Sequence, residues 1–255
     1  MGQGRGRLAL RPAPVRELLV DLKDLCELAI DLAYSAYLFH SPDLAHEVLE
    51  IEDHAGDLLL NLEMALMLAA RRPEDAAALV PISRVASSIA RIIDAAADIA
   101  KMVVRGAGLH PAIREAFAHT KERLVRVLVT EGSELANAKA GTLEPWVEVI
   151  AIKRNGDWIL NPEDDEPLLP GDVIIARGSP EEVKELVELA EERREALSIP
   201  ESDEHVVRLA ELLTELKESS ELAIDLAYTA LLLNSPELAS EAERLEIRVE
   251  LVHVL

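Results

Sequence analysis

Cysteine is nearly absent from this chain: Cys26 stands alone among 255 residues. No internal disulfide can form, so the protein reads as one of a reducing, cytoplasmic compartment. Aromatic residues are scarce too, at 3% against 49% hydrophobic. Leu, Ala, Val and Ile therefore have to fill the core, which is the composition of packed helices. Basic residues number 26 against 48 acidic ones, giving a formal net charge of -22 with His neutral. Such a field repels nucleic acid and anionic lipid and attracts cations, so the folded body is not expected to bind DNA or RNA. An apolar run of about eighteen residues, the length of a membrane span, is also missing. Even Leu58 to Ala70 is interrupted by Asn61 and Glu63. The eleven glycines are scattered, with no G-x-G-x-x-G and no Walker loop to cradle phosphate.

The opening stretch departs from the acidic rule. Arg5, Arg7, Arg11 and Arg16 occur there with no acid among the first sixteen residues. Glycine and proline interleave them, which describes a flexible tail over 1–14, or a contact for anionic headgroups. No apolar run of signal-peptide length follows it.

What dominates the remainder is a repeat. Glu27-Leu28-Ala29-Ile30-Asp31-Leu32-Ala33-Tyr34 recurs unchanged as Glu221 to Tyr228. At a constant offset of 194, 17 of the 26 residues from Leu22 to Glu47 are identical. Both copies then reach Ser-Pro, at Ser41-Pro42 and Ser235-Pro236. Each copy reads as helix, tight turn, helix. Leu25, Leu28, Ala29, Leu32 and Ala36 make one apolar helical face, and Ser41 caps the next helix with Pro42 at its first position. That second helix runs to about Arg71. Pro73 and Pro81 are expected to break the chain before a third helix over roughly Ile82 to Arg105. The first copy thus forms a three-helix unit over 15–106. The second, over 205–255, has two helices and closes on an apolar pattern that calls for a partner, through dimerisation or through further chain.

The middle of the chain changes character. Leu124 to Thr130, Trp146 to Lys153, Trp158 to Leu160 and Val173 to Arg177 read as short strands. Asn155-Gly156 marks a hairpin and Pro170-Gly171-Asp172 a turn, and Ser179-Pro180-Glu181-Glu182 opens a helix with a capping box. These define a small αβ domain over 121–190, with linkers at 107–120 and 191–204. The fold class is α+β, multidomain: antiparallel helical bundles around a small αβ domain.

Carboxylates spaced i, i+4 recur on the helices as Asp53 with Asp57, Asp94 with Asp98, and Glu246 with Glu250. Two such helices side by side offer four carboxylates to one divalent cation, and the nearby His54 and His253 suit a transition metal. A salt-bridged polar stripe explains Asp94 and Asp98 equally well, since Arg91 and Lys101 lie three residues from each. Glu27 with Asp31 shares the spacing but sits on the opposite side of its helix from the apolar face. In the αβ domain no nucleophile and base stand together. Ser133 follows a strand, but no His comes after His119 in that domain, so catalysis is not expected. Trp146 and Trp158 read as packing residues of the sheet, with base stacking the alternative.

Glu148 to Gly156, Asn161-Pro162 and Leu169-Pro170-Gly171-Asp172-Val173-Ile174-Ile175-Ala176-Arg177-Gly178 together resemble the TrkA C-terminal (RCK C-terminal) domain over 121–190. The flanking repeats resemble PhoU-type helical domains, whose acidic motif of (E/D)-x-x-x-D is matched by Asp53/Asp57 and Asp94/Asp98. Glu246/Glu250 departs by ending in Glu. The resemblance to PhoU implies metal binding and regulation of phosphate transport. The resemblance to the TrkA C-terminal domain implies a homodimer that senses a nucleotide, cyclic dinucleotide or cation while controlling potassium or other cation flux. Together they imply a cytoplasmic, non-enzymatic regulator docking on a membrane cation transporter or channel subunit; the alternative is a metal-binding adaptor of phosphate transport. The nucleotide-binding Rossmann domain that precedes this module in TrkA is missing, so dinucleotide binding of that type is not implied.

Overall fold

The computed structural model describes residues 13–106, 108, 123–143, 147–190, 204–233 and 235–253, with only the backbone for part of 204–231 and for 246–253. The expected basic tail over 1–14 and the linkers over 107–120 and 191–204 lie outside these residues, apart from 13, 14, 108 and 204. Trp146 lies outside them as well.

Six helices and four strands are seen among the described residues, beside one short 3-10 turn. The first three helices are α1 (Val15–Leu38), α2 (Pro42–Ala69) and α3 (Pro73–Val104). Leu18, Leu22, Leu32, Ala33 and Ala36 on α1 are all nearly fully buried, and α2 buries Leu44, Ala45, Val48, Ile51 and Ala55 along one stripe. α3 packs on α2, and its buried stripe includes Ile89, Ile93 and the small side chains Ala96, Ala97 and Ala100. Pro73 stands at the first position of α3, where its missing N–H costs nothing. Pro81 does not break the chain as expected but lies inside α3. It removes one backbone bond, but the surrounding turns are exposed, and water can take up the freed carbonyl. By length and composition α3 is the one described helix apolar enough to cross a membrane.

The sheet carries strands β1 (Arg123–Leu128), β2 (Val147–Arg154), β3 (Asp157–Leu160) and β4 (Val173–Gly178), antiparallel in the order β1-β4-β2-β3. The Asn155-Gly156 turn joins β2 to β3 with both residues at positive φ, 55° and 102°, as a two-residue hairpin demands. A bulge lies between Val149 and Ala151. α4 (Pro180–Leu189) starts with the expected capping box: Glu182 N–H donates to Ser179 Oγ, and Ser179 N–H donates to the Glu182 carboxylate. It covers one face of the sheet, where Val125, Val127, Ile152, Ile174, Val183 and Leu186 form the core. Ile150, Ala151 and Ile175 lie outside that cluster and are buried too.

α5 (Glu204–Leu233) and α6 (Pro236–His253) hold the second copy of the repeat. Two compact units result. One gathers the residues up to 34 with 42–106 and 221–248; the other gathers 35–41, 107–220 and 249–255. The two repeats therefore do not form separate domains: most of the second joins the first in a single helical unit. Lys23 on α1 reaches Asp225 on α5 at 3.7 Å and lies 5.5 Å from the Tyr228 ring centroid. Burial alone would lower the Lys23 pKa, but Glu27, Asp225 and Asp24 hold it above the usual lysine value.

Cys26 is fully buried on α1, and burial, reinforced by Glu27, pushes its thiol up to about 12. The folded protein is expected to resist thiol reagents at pH 8 and to react stoichiometrically once unfolded in urea. Labelling at the native rate of a free thiol would show that α1 opens readily.

Candidate functional site

All four helical aspartates are exposed. Asp53 and Asp57 lie on the side of α2 turned away from its buried stripe of Leu44, Val48, Ile51 and Ala55. Asp94 and Asp98 likewise lie off the buried stripe of Ile89, Ile93, Ala96 and Ala100 on α3. Helical geometry thus keeps each pair together on one side of its helix, off the buried stripe. Across that contact Lys101 Nζ donates to Glu52 Oε1 at 3.1 Å and to Asp98 Oδ1 at 3.3 Å. The Glu52 and Asp98 hydrogen bonds raise the Lys101 pKa. Arg91 donates to Ser88 Oγ at 3.0 Å rather than to Asp94. His46 is bonded to the Pro42 carbonyl of its own helix, and His54 is exposed. Among the described residues no three His, Cys, Asp or Glu side chains converge to hold a metal ion.

The side chains of Glu246 and Glu250, like that of His253, lie outside the described residues. Their place in the repeat is nevertheless defined. At the 194-residue offset Glu246 falls on Glu52 and Glu250 on Gly56, whereas Asp53 and Asp57 fall on Ile247 and Leu251. In repeat register the second copy keeps the glutamate that binds Lys101 and replaces the aspartate pair by apolar residues.

In the αβ domain the distinctive Pro-Gly-Asp turn is occupied with holding the sheet together. Asp172, 2% exposed, accepts two bonds from Arg154, from Nε at 3.0 Å and from Nη2 at 2.8 Å. It also accepts the Leu169 N–H at 2.8 Å. Arg154 continues to Glu166 at 2.7 Å and to the Pro167 carbonyl at 2.6 Å. The bonds to Asp172 and then to Glu166 raise the Arg154 pKa still further above its ordinary high value. Gly171 at φ 95° lets its N–H reach the Val129 carbonyl, while Val129 N–H donates to the Asp172 carbonyl. The turn before β4 is thereby fastened to the end of β1 and to the end of β2. A bidentate guanidinium fork on a buried carboxylate is stronger and more specific in geometry than a single neutral hydrogen bond. The sequence carried a signal for it, an Arg directly before Asn-Gly and an Asp directly after Pro-Gly, but not the distance between them.

Trp158 is half-buried and lies opposite Lys153 in the register, with Lys153 Nζ 5.3 Å from its ring centroid. Ser133 is buried and donates to the Thr130 carbonyl at 3.0 Å, a turn contact within the fold. Glu148 and Arg177 pair across β2 and β4 at 2.5 Å on the exposed side.

Two comparisons with known families match this anatomy. Residues 19–103 match the family model of the PhoU domain. Residues 124–190 match that of the TrkA-C domain. No curated protein matches the chain.

Proposed function

We propose, for a chain that carries a PhoU domain followed by a TrkA-C domain, a cytoplasmic regulator of cation transport, with potassium the first candidate, that senses a small ligand through the TrkA-C domain. Both domains are regulatory families of ion and phosphate transport, and neither is an enzyme family. The observation that carries the reading is their arrangement along the chain. The TrkA-C stretch is inserted between segments, 42–106 and 221–248, that belong to one helical unit. A ligand that binds one conformation of the sensor better than another would bias the helical unit through both of its connections. The regulator acts as a homodimer on a membrane transporter or channel subunit, and the ligand is a nucleotide, a cyclic dinucleotide or a cation.

A thermal-shift panel on the purified protein tests this, covering cyclic dinucleotides, ATP, AMP, potassium, magnesium, manganese, zinc and iron. A ligand at about 100 times its dissociation constant stabilises by about 2.7 kcal/mol, a readable shift. A nucleotide shift abolished by disrupting the sheet domain is the expected result. Metal shifts alone, lost with Asp53→Ala and Asp57→Ala, would replace sensing by a metal-binding adaptor of phosphate transport.

A further inference from the structure

The helices of the first repeat lengthen along the chain: α1 has 24 residues, α2 28 and α3 32. Only three residues join α1 to α2, so the two run antiparallel, and the last turn of α2 overhangs the start of α1 by about 6 Å at 1.5 Å per residue. This overhang and the turn into α3 carry apolar side chains in the open. Met67 and Leu68 are 75% and 79% exposed, Val80 is 48% exposed, and Ala69, Ala76 and Ala77 are exposed with them. An eighteen-residue stretch of α3 is apolar enough for a membrane span, yet only 17% of it is buried. A place in the core of this chain therefore does not explain its composition, and a contiguous apolar surface of this kind marks a contact site. The turn is internal to the first repeat, with both of its helices and their connection described.

We propose that this hairpin tip is a self-complementary contact, and that its occupant is the same tip of a second copy of the chain. Charge selects that occupant. The turn holds Arg71, Arg72, Glu74 and Asp75 around Pro73. Arg72 Nη2 donates to Asp75 Oδ1 at 2.9 Å within one chain, while Arg71 and Glu74 are exposed, one of each sign. In a two-fold contact residue i meets j and j meets i. Arg71 against Glu74 of the second copy meets that rule with two ion pairs, and Met67, Leu68 and Val80 close the apolar flanks. The four charges of the turn sum to zero, so the tip is locally neutral in a chain of net charge -22. Charge is screened over about 8 Å at physiological salt, so acidic residues further along the helices do not hold two tips apart. An anionic lipid surface is the poorer occupant, because Glu74 and Asp75 cancel the attraction of the two arginines. A contact between helix ends belongs to the small class of interfaces, so the pairing is reversible and depends on concentration. It is read from the hairpin alone and does not rest on the sensing role or the dimer that the TrkA-C domain implies.

The experiment uses the full chain with Ala69→Cys, at the exposed end of α2. Cys26 is buried, so the introduced thiol is the one a bismaleimide reaches in the folded protein. Cross-linking should give a covalent dimer whose yield rises with protein concentration. Leu68→Asp, Arg71→Glu and Glu74→Arg should each lower that yield at least tenfold while leaving the circular dichroism unchanged. Arg71→Glu combined with Glu74→Arg should restore it, because the swap rebuilds both ion pairs. A dimeric mass by light scattering without the cross-link would overturn the tip contact and leave a dimer through the TrkA-C domain intact. The proposal is also overturned if Leu68→Asp leaves the yield unchanged or if the charge-swapped chain stays as weak as the single variants. Sedimentation of the chain with phosphatidylglycerol vesicles, lost with Leu68→Asp, would overturn it in favour of a lipid surface.

Discussion

Replacing Leu32 by alanine is expected to destabilise the helical unit by about 3 kcal/mol, whereas Leu226→Ala should cost about 1 kcal/mol. The two leucines occupy the same place in an identical octapeptide, Glu-Leu-Ala-Ile-Asp-Leu-Ala-Tyr, so helix propensity and local pattern are the same. Their surroundings differ. Leu32 is fully buried, and its truncation leaves a cavity that close-packed neighbours cannot collapse into. Leu226 is half-buried, so the same truncation loses less transfer energy and leaves a site that water already borders. Both residues belong to one compact unit, which makes urea unfolding followed by far-ultraviolet circular dichroism a fair comparison. Equal losses would mean that the second copy is packed as tightly as the first at this position.

The Arg154→Met substitution should destabilise the sheet domain by about 3 kcal/mol, the lower end of what removing one partner of a buried ion pair costs. The lower end applies because Arg154 is 22% exposed, while Asp172, at 2%, is the group left behind. Its carboxylate would keep one backbone donor, Leu169 N–H, and lose both bonds of the fork. Adding Asp172→Asn should recover part of the loss, because a neutral amide is cheaper to leave unpaired than a charge. Arg154→Lys should not recover it, since a point charge cannot bind in bidentate fashion or reach Glu166 and Pro167 as well. Trp158 lies on β3, Trp146 directly precedes β2 in the sequence and the helices carry no tryptophan, so tryptophan fluorescence reports unfolding of the sheet apart from that of the helices. If Arg154→Met moves that transition no further than a change at the exposed Lys184, the staple is not what holds the turn.

Much of this anatomy was legible beforehand, and for definite reasons. The strand boundaries moved by only a residue or two because turn chemistry is local: Asn155-Gly156 and Pro170-Gly171 specify backbone angles by themselves. The capping box at Ser179 and Glu182 was readable for the same reason. Pro81 was misread because a proline's cost depends on whether the carbonyl it orphans can reach water, which is a matter of exposure. The carboxylate pairs were visible as spacing. Spacing fixes which residues share a helix face but not where that face points, and here both pairs lie exposed, off the buried stripes of their helices.

The sequence alone determined the duplication, the two kinds of domain, the acidic field and the strand-turn-strand grammar of the middle, since each is written in neighbouring residues or in composition. Only the tertiary structure decided three further things. Most of the second repeat joins the first in one unit, Arg154 binds the buried Asp172, and Lys101 binds Glu52 across two helices. Each of these joins residues far apart along the chain, where hydrophobic periodicity and turn propensity carry no information about who meets whom. The identical octapeptides make the point most simply: one is buried and one partly open, because burial belongs to the neighbours and not to the segment itself.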